Sequence, residues 1–261
     1  MNQKNFSVKK FIKKTAFMPI LMVFVFSVLL ASPQHQIEDV IEKLDQLYRS
    51  ESSYALVEME ITTPHWKRTL KMKIWSQGMK KTFIRILEPK KERGVATLRI
   101  GNEMWNYLPK TNKVVKIPPS MMMSSWMGSD FTNDDLVKEY TFLEDYLFEF
   151  TEVENPKENL LYIKCIPKPE RPIVWGHILT AVREKDYLPV WQKYFDEKGK
   201  LMRVMNFKDI KEFDNRTIPS VMELIPQTKE GHKTVLRYIE ARFDIGIDES
   251  IFTLRNLRRG M

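Results

Sequence analysis

The stretch "VEMEITTPHWKRTLKMKI", residues 57–74, decides the fold. Val57, Met59 and Ile61 alternate with Glu58 and Glu60, and Leu70, Met72 and Ile74 alternate with Lys71 and Lys73. A period of two puts the apolar set on one face of a strand and the charged set on the other. The turn signal "TTPH" separates the two runs, so they read as neighbouring antiparallel strands with one dry face.

The same pattern continues downstream. Leu161, Ile163 and Cys165 share one face of a later segment, and Met205 and Phe207 alternate with Asn206 and Lys208. Turn signals recur at "SQGMK", "KERG", "PKTNK", "DEKGK", "EFDNR" and "KEGHK". This spacing predicts an antiparallel meander of about ten or eleven strands, with no helical crossover of the kind a parallel sheet needs. Upstream, Ile37, Val40, Ile41, Leu44, Leu47 and Tyr48 repeat at helical spacing opposite Glu38, Asp39, Glu42 and Asp45, which predicts an amphipathic helix over 37–48. The expected class is mainly β (α+β). A single long sheet must curl to cover its apolar face, giving a half-open barrel with the first helix and short helices on its concave side.

The start of the chain reads differently. Lys4, Lys9, Lys10, Lys13 and Lys14 precede an uncharged run from Ala16 to Ala31, and Ser32 and Pro33 follow. That layout predicts a secretory signal peptide over 1–31, leaving one domain over 32–261 and a periplasmic location. Loss of those five lysines lowers the formal net charge from +8 to +3, so the basicity is mostly an export signal and carries no nucleic-acid footprint. Cys165 is the only cysteine, which excludes an intramolecular disulfide.

Catalytic and metal constellations are not visible. His35, His65, His177 and His232 lie far apart, with no partner at ligand spacing, and no HExxH, GxSxG or phosphate-cradling loop occurs. The run "DFTNDD" fails as a calcium loop because Lys138 and Thr141 fall where late ligands are needed. It reads instead as a helix start, with Thr132 capping a first turn of Asn133, Asp134 and Asp135. No enzyme activity, cofactor or metal is expected.

The segment "PPSMMMSSWMGSDF", 118–131, is unusually soft and apolar for a loop. On a helical wheel Met122, Met123, Trp126 and Met127 fall on one side and Ser124 and Ser125 on the other. Two readings are open: ordinary core, or a mobile lid over an apolar cavity, for which unbranched, polarizable methionine is suited.

Residues 83–140, in particular "LEPKKERG", "MWNYLP" and "MGSDFTNDDL", resemble the outer-membrane lipoprotein-sorting proteins, the superfamily of the periplasmic carrier LolA and the receptor LolB. The family-like positions are Leu87, Glu88, Pro89, Gly94, Gly128, Ser129, Asp130, Phe131, Asp134 and Leu136. The resemblance implies a half-open barrel with an apolar lipid cavity, and it implies Trp105 and Tyr107 at or near that cavity with the methionine segment. It further implies a carrier of acylated lipoprotein or lipid that works from an inner-membrane transporter toward the outer membrane, touching the membrane only transiently. The alternative is an interaction module beside such a transporter that carries no lipid. If the leader is cleaved, amino-terminal sequencing of periplasmic protein should find a start close to Ser32; an intact Met1 in a membrane fraction would mean an anchor.

Overall fold

The structure, a computed structural model, describes residues 33–48, 50–137, 142–171 and 173–259. The expected signal peptide lies outside the described residues, as do Lys138 and Thr141. Helix α1 spans Pro33–Gln46, close to the predicted 37–48. A first meander follows: β1 (Ser52–Thr62), β2 (Lys67–Gln77), β3 (Lys81–Glu88), β4 (Ala96–Ile100), β5 (Glu103–Leu108) and β6 (Lys113–Lys116). A connector over 117–145 carries α2 (Asn133–Val137) and α3 (Phe142–Asp145). The second meander is β7 (Tyr146–Phe150), β8 (Leu160–Pro167), β9 (His177–Arg183), β10 (Pro189–Phe195), β11 (Leu201–Phe213), β12 (Arg216–Pro226) and β13 (Lys233–Phe243), and α4 (Leu254–Arg258) ends the chain.

All the described strands form one open antiparallel sheet in the order β6-β5-β4-β3-β2-β1-β13-β12-β11-β10-β9-β8-β7. Thirteen strands replace the expected ten or eleven. The additional ones are short, and four or five residues, as in β4, β6 and β7, give too little alternation to be counted from sequence. The β1–β13 pairing joins the two meanders, with Val57 opposite Tyr238 and Met59 opposite Leu236. It leaves β6 and β7 as the two edges, although they are consecutive in the chain.

The inner face carries Val57, Met59 and Ile61 as the alternation requires, packed with Leu70, Met72, Ile84, Ile86 and Met104. Helix α1 covers the β7–β9 end of that face, burying Ile37, Val40 and Ile41 against Tyr146, Ile163, Cys165 and Ile178. Cys165 is the small apolar strand residue its context suggested, and burial pushes its thiol up to about 12, outside the range of a reactive thiolate. Asp45, expected on the wet face of α1, is buried instead. Its carboxylate accepts the Phe142 and Leu143 backbone N–H groups at 2.9 and 3.1 Å, fastening α1 to the start of α3.

The outer face is also covered, at one end. Phe252 and Leu257 from the C-terminal segment pack on Phe83, Ala96, Leu98 and Tyr107. Strands β3–β5 are therefore dry on both sides, and α4 lies on the outer face, where the expected short helices were to cover the concave one. Arg85, buried on β3, donates to the carbonyls of Asn256 (2.8 Å), Leu257 and Arg259, satisfying the exposed end of a helix too short to satisfy itself. Burial lowers the Arg85 pKa, and the nearby Tyr107 acts against that. Arg85→Ala should cost about 2–3 kcal/mol in urea unfolding, the scale of hydrogen bonds to a charged donor. It should also free the C-terminal segment to proteolysis.

Candidate functional site

Follow the inner face along the paired positions. Phe207 lies opposite Met222, Met222 opposite Leu236, Leu236 opposite Met59 and Met59 opposite Leu70. Directly paired residues in an antiparallel sheet share a face, so these five side chains form one apolar row across β11, β12, β13, β1 and β2. Leu70 and Met59 are fully buried, whereas Leu236, Met222 and Phe207 remain partly exposed. Tyr238 lies next to this half-covered floor, stacked on Tyr48 at 5.7 Å, where the chain leaves α1.

The difference between the two halves is made by the connector. Trp126 is only 2% exposed and packs into the core of β1, β2, β3 and β5. Its indole N–H donates to Thr97 Oγ1 at 3.2 Å, and Thr97 donates on to Asn106 Oδ1 at 2.7 Å. Met122, Met127, Phe131 and Leu136 pack against the same core. The segment is no helix after the short 3-10 turn at Pro119–Met121. Met127 and Gly128 take positive φ, 52° and 74°, and fold it back on itself. Trp126 N–H then donates to the Phe131 carbonyl (2.8 Å), Ser129 Oγ to the Trp126 carbonyl (2.7 Å) and Asn133 N–H to the Ser124 carbonyl (3.0 Å). A side chain on Gly128 would also press on Arg68 at 3.3 Å.

The clasp sends Met123 outward, half exposed at 50%, with Met121 beside it at 48%. The structure thus brings Met122, Trp126 and Met127 together and leaves Met123 apart. Trp105 and Tyr107 do not join them. Register puts Trp105 opposite Leu98 and Tyr107 opposite Ala96, on the outer face beneath the C-terminal segment. Their alternation was legible, but which of two covered faces they occupy was not.

Three polar fastenings hold the connector over the sheet. Arg68, inward on β2, donates to the Met127 carbonyl and to Glu92 at 3.2 Å. Glu92 sits in the β3–β4 turn formed by "LEPKKERG", where Gly94 takes φ 85°. Arg68 therefore joins the two family-like stretches, a role that nothing local in the sequence signals. Asp130 accepts from Thr234 Oγ1 at 2.8 Å, while its own N–H donates back to that hydroxyl. Asp135 binds Arg203 of β11 through two hydrogen bonds of 2.8 and 2.9 Å. Arg203 also lies over Trp175 and Tyr194, 4.5 and 4.3 Å from the ring centres.

Thr132 caps α2 as expected, in a reciprocal box with Asp135. Burial would raise the Asp135 carboxyl, but the Arg203 charge and the Arg203 and Thr132 hydrogen bonds outweigh it and hold it below the ordinary carboxylate range. Arg203 is raised in turn, with Asp135 overcoming the opposing effect of burial.

Elsewhere, a groove of about 590 Å³ opens between the end of α1 and β12. Lys43, Asp186 and Arg216 share its wall with Leu47, Leu188 and Ile218, so it offers no continuous apolar lining. His177 stacks on Phe195, and His232 faces Asp130 at 3.5 Å. Among the described residues no group of three or more His, Cys, Asp or Glu side chains is placed to hold a metal, and no helix is long and apolar enough to cross a membrane.

Several solved structures superpose on this fold over most of the chain. A DUF1329 family protein from Desulfovibrio piger superposes with TM-score 0.75 at 23% identity, covering 86% of this chain and 99% of that one. A putative outer membrane lipoprotein-sorting protein domain from Vibrio parahaemolyticus gives 0.71 at 22%, covering 86% and 97%. A LolA superfamily protein from Nitrosomonas europaea gives 0.69 at 19%, covering 84% and 98%. The fold is that of the LolA-type lipoprotein-sorting structures, matching the resemblance read from residues 83–140. A family model described as "-like: Uncharacterized protein" matches residues 78–259, and the chain belongs to that family. Among curated proteins, none matches the sequence.

Two substitutions separate core from surface in the methionine segment. Trp126→Ala should cost about 3–5 kcal/mol, whereas Met123→Ser should stay within about 0.5 kcal/mol, both read from denaturant midpoints. Asp135→Asn leaves Arg203 buried beside a neutral partner and should cost about 3–5 kcal/mol at pH 7. A carboxyl lowered in the folded state stabilises above its unfolded value of about 3.9 and loses that contribution as pH falls toward the folded value. The gap between wild type and Asp135→Asn should therefore narrow below about pH 4.

Proposed function

We propose that the protein is a periplasmic carrier that binds the acyl chains of lipoproteins or lipids on the inner face of a half-open barrel. It would receive them from an inner-membrane transporter and pass them toward the outer membrane. The observation that carries this reading is the apolar row on the inner face. Trp126 and its clasp close one half, and Phe207, Met222, Leu236 and Tyr238 leave the other half apolar and only partly covered. An acyl chain laid along that floor gains roughly 0.8 kcal/mol per methylene removed from water, so each additional buried methylene favours binding before the cost of association is met. The lipoprotein-sorting description of the Vibrio parahaemolyticus domain and the superfamily of the Nitrosomonas europaea protein support the same reading.

In this account Met122 and Met127 are the wall where plug meets floor, and their flexible thioethers adapt to chains of different length. Trp105 and Tyr107 stabilise the opposite face and have no part in binding. Mass spectrometry of extracts from natively purified protein should find acyl lipid in wild type. Leu236→Asp and Met222→Asp should lower affinity for a fluorescent fatty acid at least tenfold, about 1.4 kcal/mol, while Trp105→Leu leaves it unchanged. Absence of acyl lipid together with unchanged affinity in the floor variants would overturn the reading.

A further inference from the structure

The two edges of the sheet are built in opposite ways. Strand β6 is four residues, Lys113-Val-Val-Lys116, with a lysine at each end, and lysines at an edge discourage another strand from pairing there. Strand β7, Tyr146-Leu-Phe-Glu-Phe150, has no such guard. Among the described residues it pairs with β8 on one side and with no strand on the other. The Lys168 N–H donates to the Asp145 carbonyl and the Thr151 N–H to the Tyr162 carbonyl, so the odd-numbered residues are the ones bonded to β8. In an antiparallel ladder the alternate residues aim the other way, which directs the main-chain N–H and C=O of Phe148 and Phe150 at the open side.

The side chains along this edge are apolar and acidic. Leu147 is 56% exposed and Phe150 37% exposed, and Ile166 lies opposite Leu147 on the same outer face. Glu149, Glu152 and Glu154 are exposed on β7 and just beyond it. From Phe142 to Glu158 there are six carboxylates and one lysine, a local excess of acid. Lys164 of β8 lies opposite Glu149, Arg171 pairs with Asp145 at 3.3 Å, and Lys168 Nζ donates to the Leu143 carbonyl at 3.0 Å. Glu152 and Glu154 lie beyond the end of β7.

We propose that the β7 edge is a docking strand for an extended segment of a partner protein in which basic and apolar residues alternate. The added strand would bond to the main chain of Phe148 and Phe150; its apolar side chains, on the inner face, would cover Phe148 and Phe150, and its basic ones, on the outer face, would meet Glu149 and, just beyond it, Glu152 and Glu154. A second copy of this chain is disfavoured by the same charges, because pairing β7 with β7 brings acid against acid. This surface is separate from the lipid floor, because β8, β9 and β10 lie between β7 and the β11–β13 floor.

The test is fluorescence anisotropy with a labelled octapeptide of alternating lysine and valine, against one of alternating glutamate and valine. The lysine peptide should bind wild type, and the glutamate peptide at least tenfold more weakly. Phe150→Pro removes an N–H that points away from β8, so the β7–β8 ladder stays intact; Leu147→Lys installs the guard that β6 already has. Each should weaken the lysine peptide at least tenfold with a circular-dichroism melting temperature near wild type, whereas Val115→Pro on β6 leaves binding unchanged. Hydrogen exchange should slow at Phe148 and Phe150 when the peptide binds. Equal binding of both peptides, unchanged affinity in both β7 variants, or a wild-type dimer dissociated by Leu147→Lys would overturn the proposal.

Discussion

Strands β6 and β7 follow one another in the chain yet stand at opposite edges of the sheet, because β1 pairs with β13. Residues 117–145 must therefore cross the sheet. The described part of the crossing up to residue 137 runs over the apolar inner face, so the backbone polar groups there need partners inside a dry environment. The chain supplies them locally, through the Ser124–Asn133 clasp, and at three points on the sheet, through Arg68, Thr234 and Arg203. Met122, Trp126 and Met127 are the apolar lining of this crossing. Their presence in a proline- and glycine-flanked loop follows from where the loop has to lie.

The crossing and α1 divide the inner face between them, and neither reaches all of it. Trp126 fills the β1–β5 half, and α1 covers the β7–β9 end. Between them the floor of β11–β13 keeps Phe207, Met222 and Leu236 partly exposed, fringed by the Tyr48–Tyr238 stack and the Asp135–Arg203 pair. An apolar strip in such a place costs stability unless something covers it. The outer face at β3–β5, which has no site to keep open, is closed by Phe252 and Leu257.

Much of this was legible in the sequence. The alternation at Val57, Met59 and Ile61 gave the inner face, the spacing at Ile37, Val40 and Ile41 gave α1, and "FTNDD" gave the cap of α2. What stayed hidden depends on contacts between distant segments. "EMWNYL" alternates perfectly, yet its aromatic set belongs to the outer face because a C-terminal segment some 150 residues later covers it. The helical wheel over 121–127 misplaced Met123 because positive φ at Met127 and Gly128 turns the chain into a clasp. Asp45 reads as a solvated charge until the fold brings α3 to it, and nothing local in the sequence singles out Arg68 or Arg203, whose partners Glu92 and Asp135 are 24 and 68 residues away. Buried ion pairs formed across many residues have no local signature.

If the partly covered inner floor, and no other surface, receives acyl chains, a lipid bound in the cell lies within reach of Phe207 and out of reach of Trp105. The most direct measurement places the photoreactive residue p-benzoylphenylalanine at Phe207 and, separately, at Trp105 on the outer face, irradiates the protein in cells and identifies lipid adducts by mass spectrometry. The account predicts acyl adducts from position 207 and none from position 105. Adducts at position 105 alone, or none at 207 in a folded and abundant protein, would contradict it.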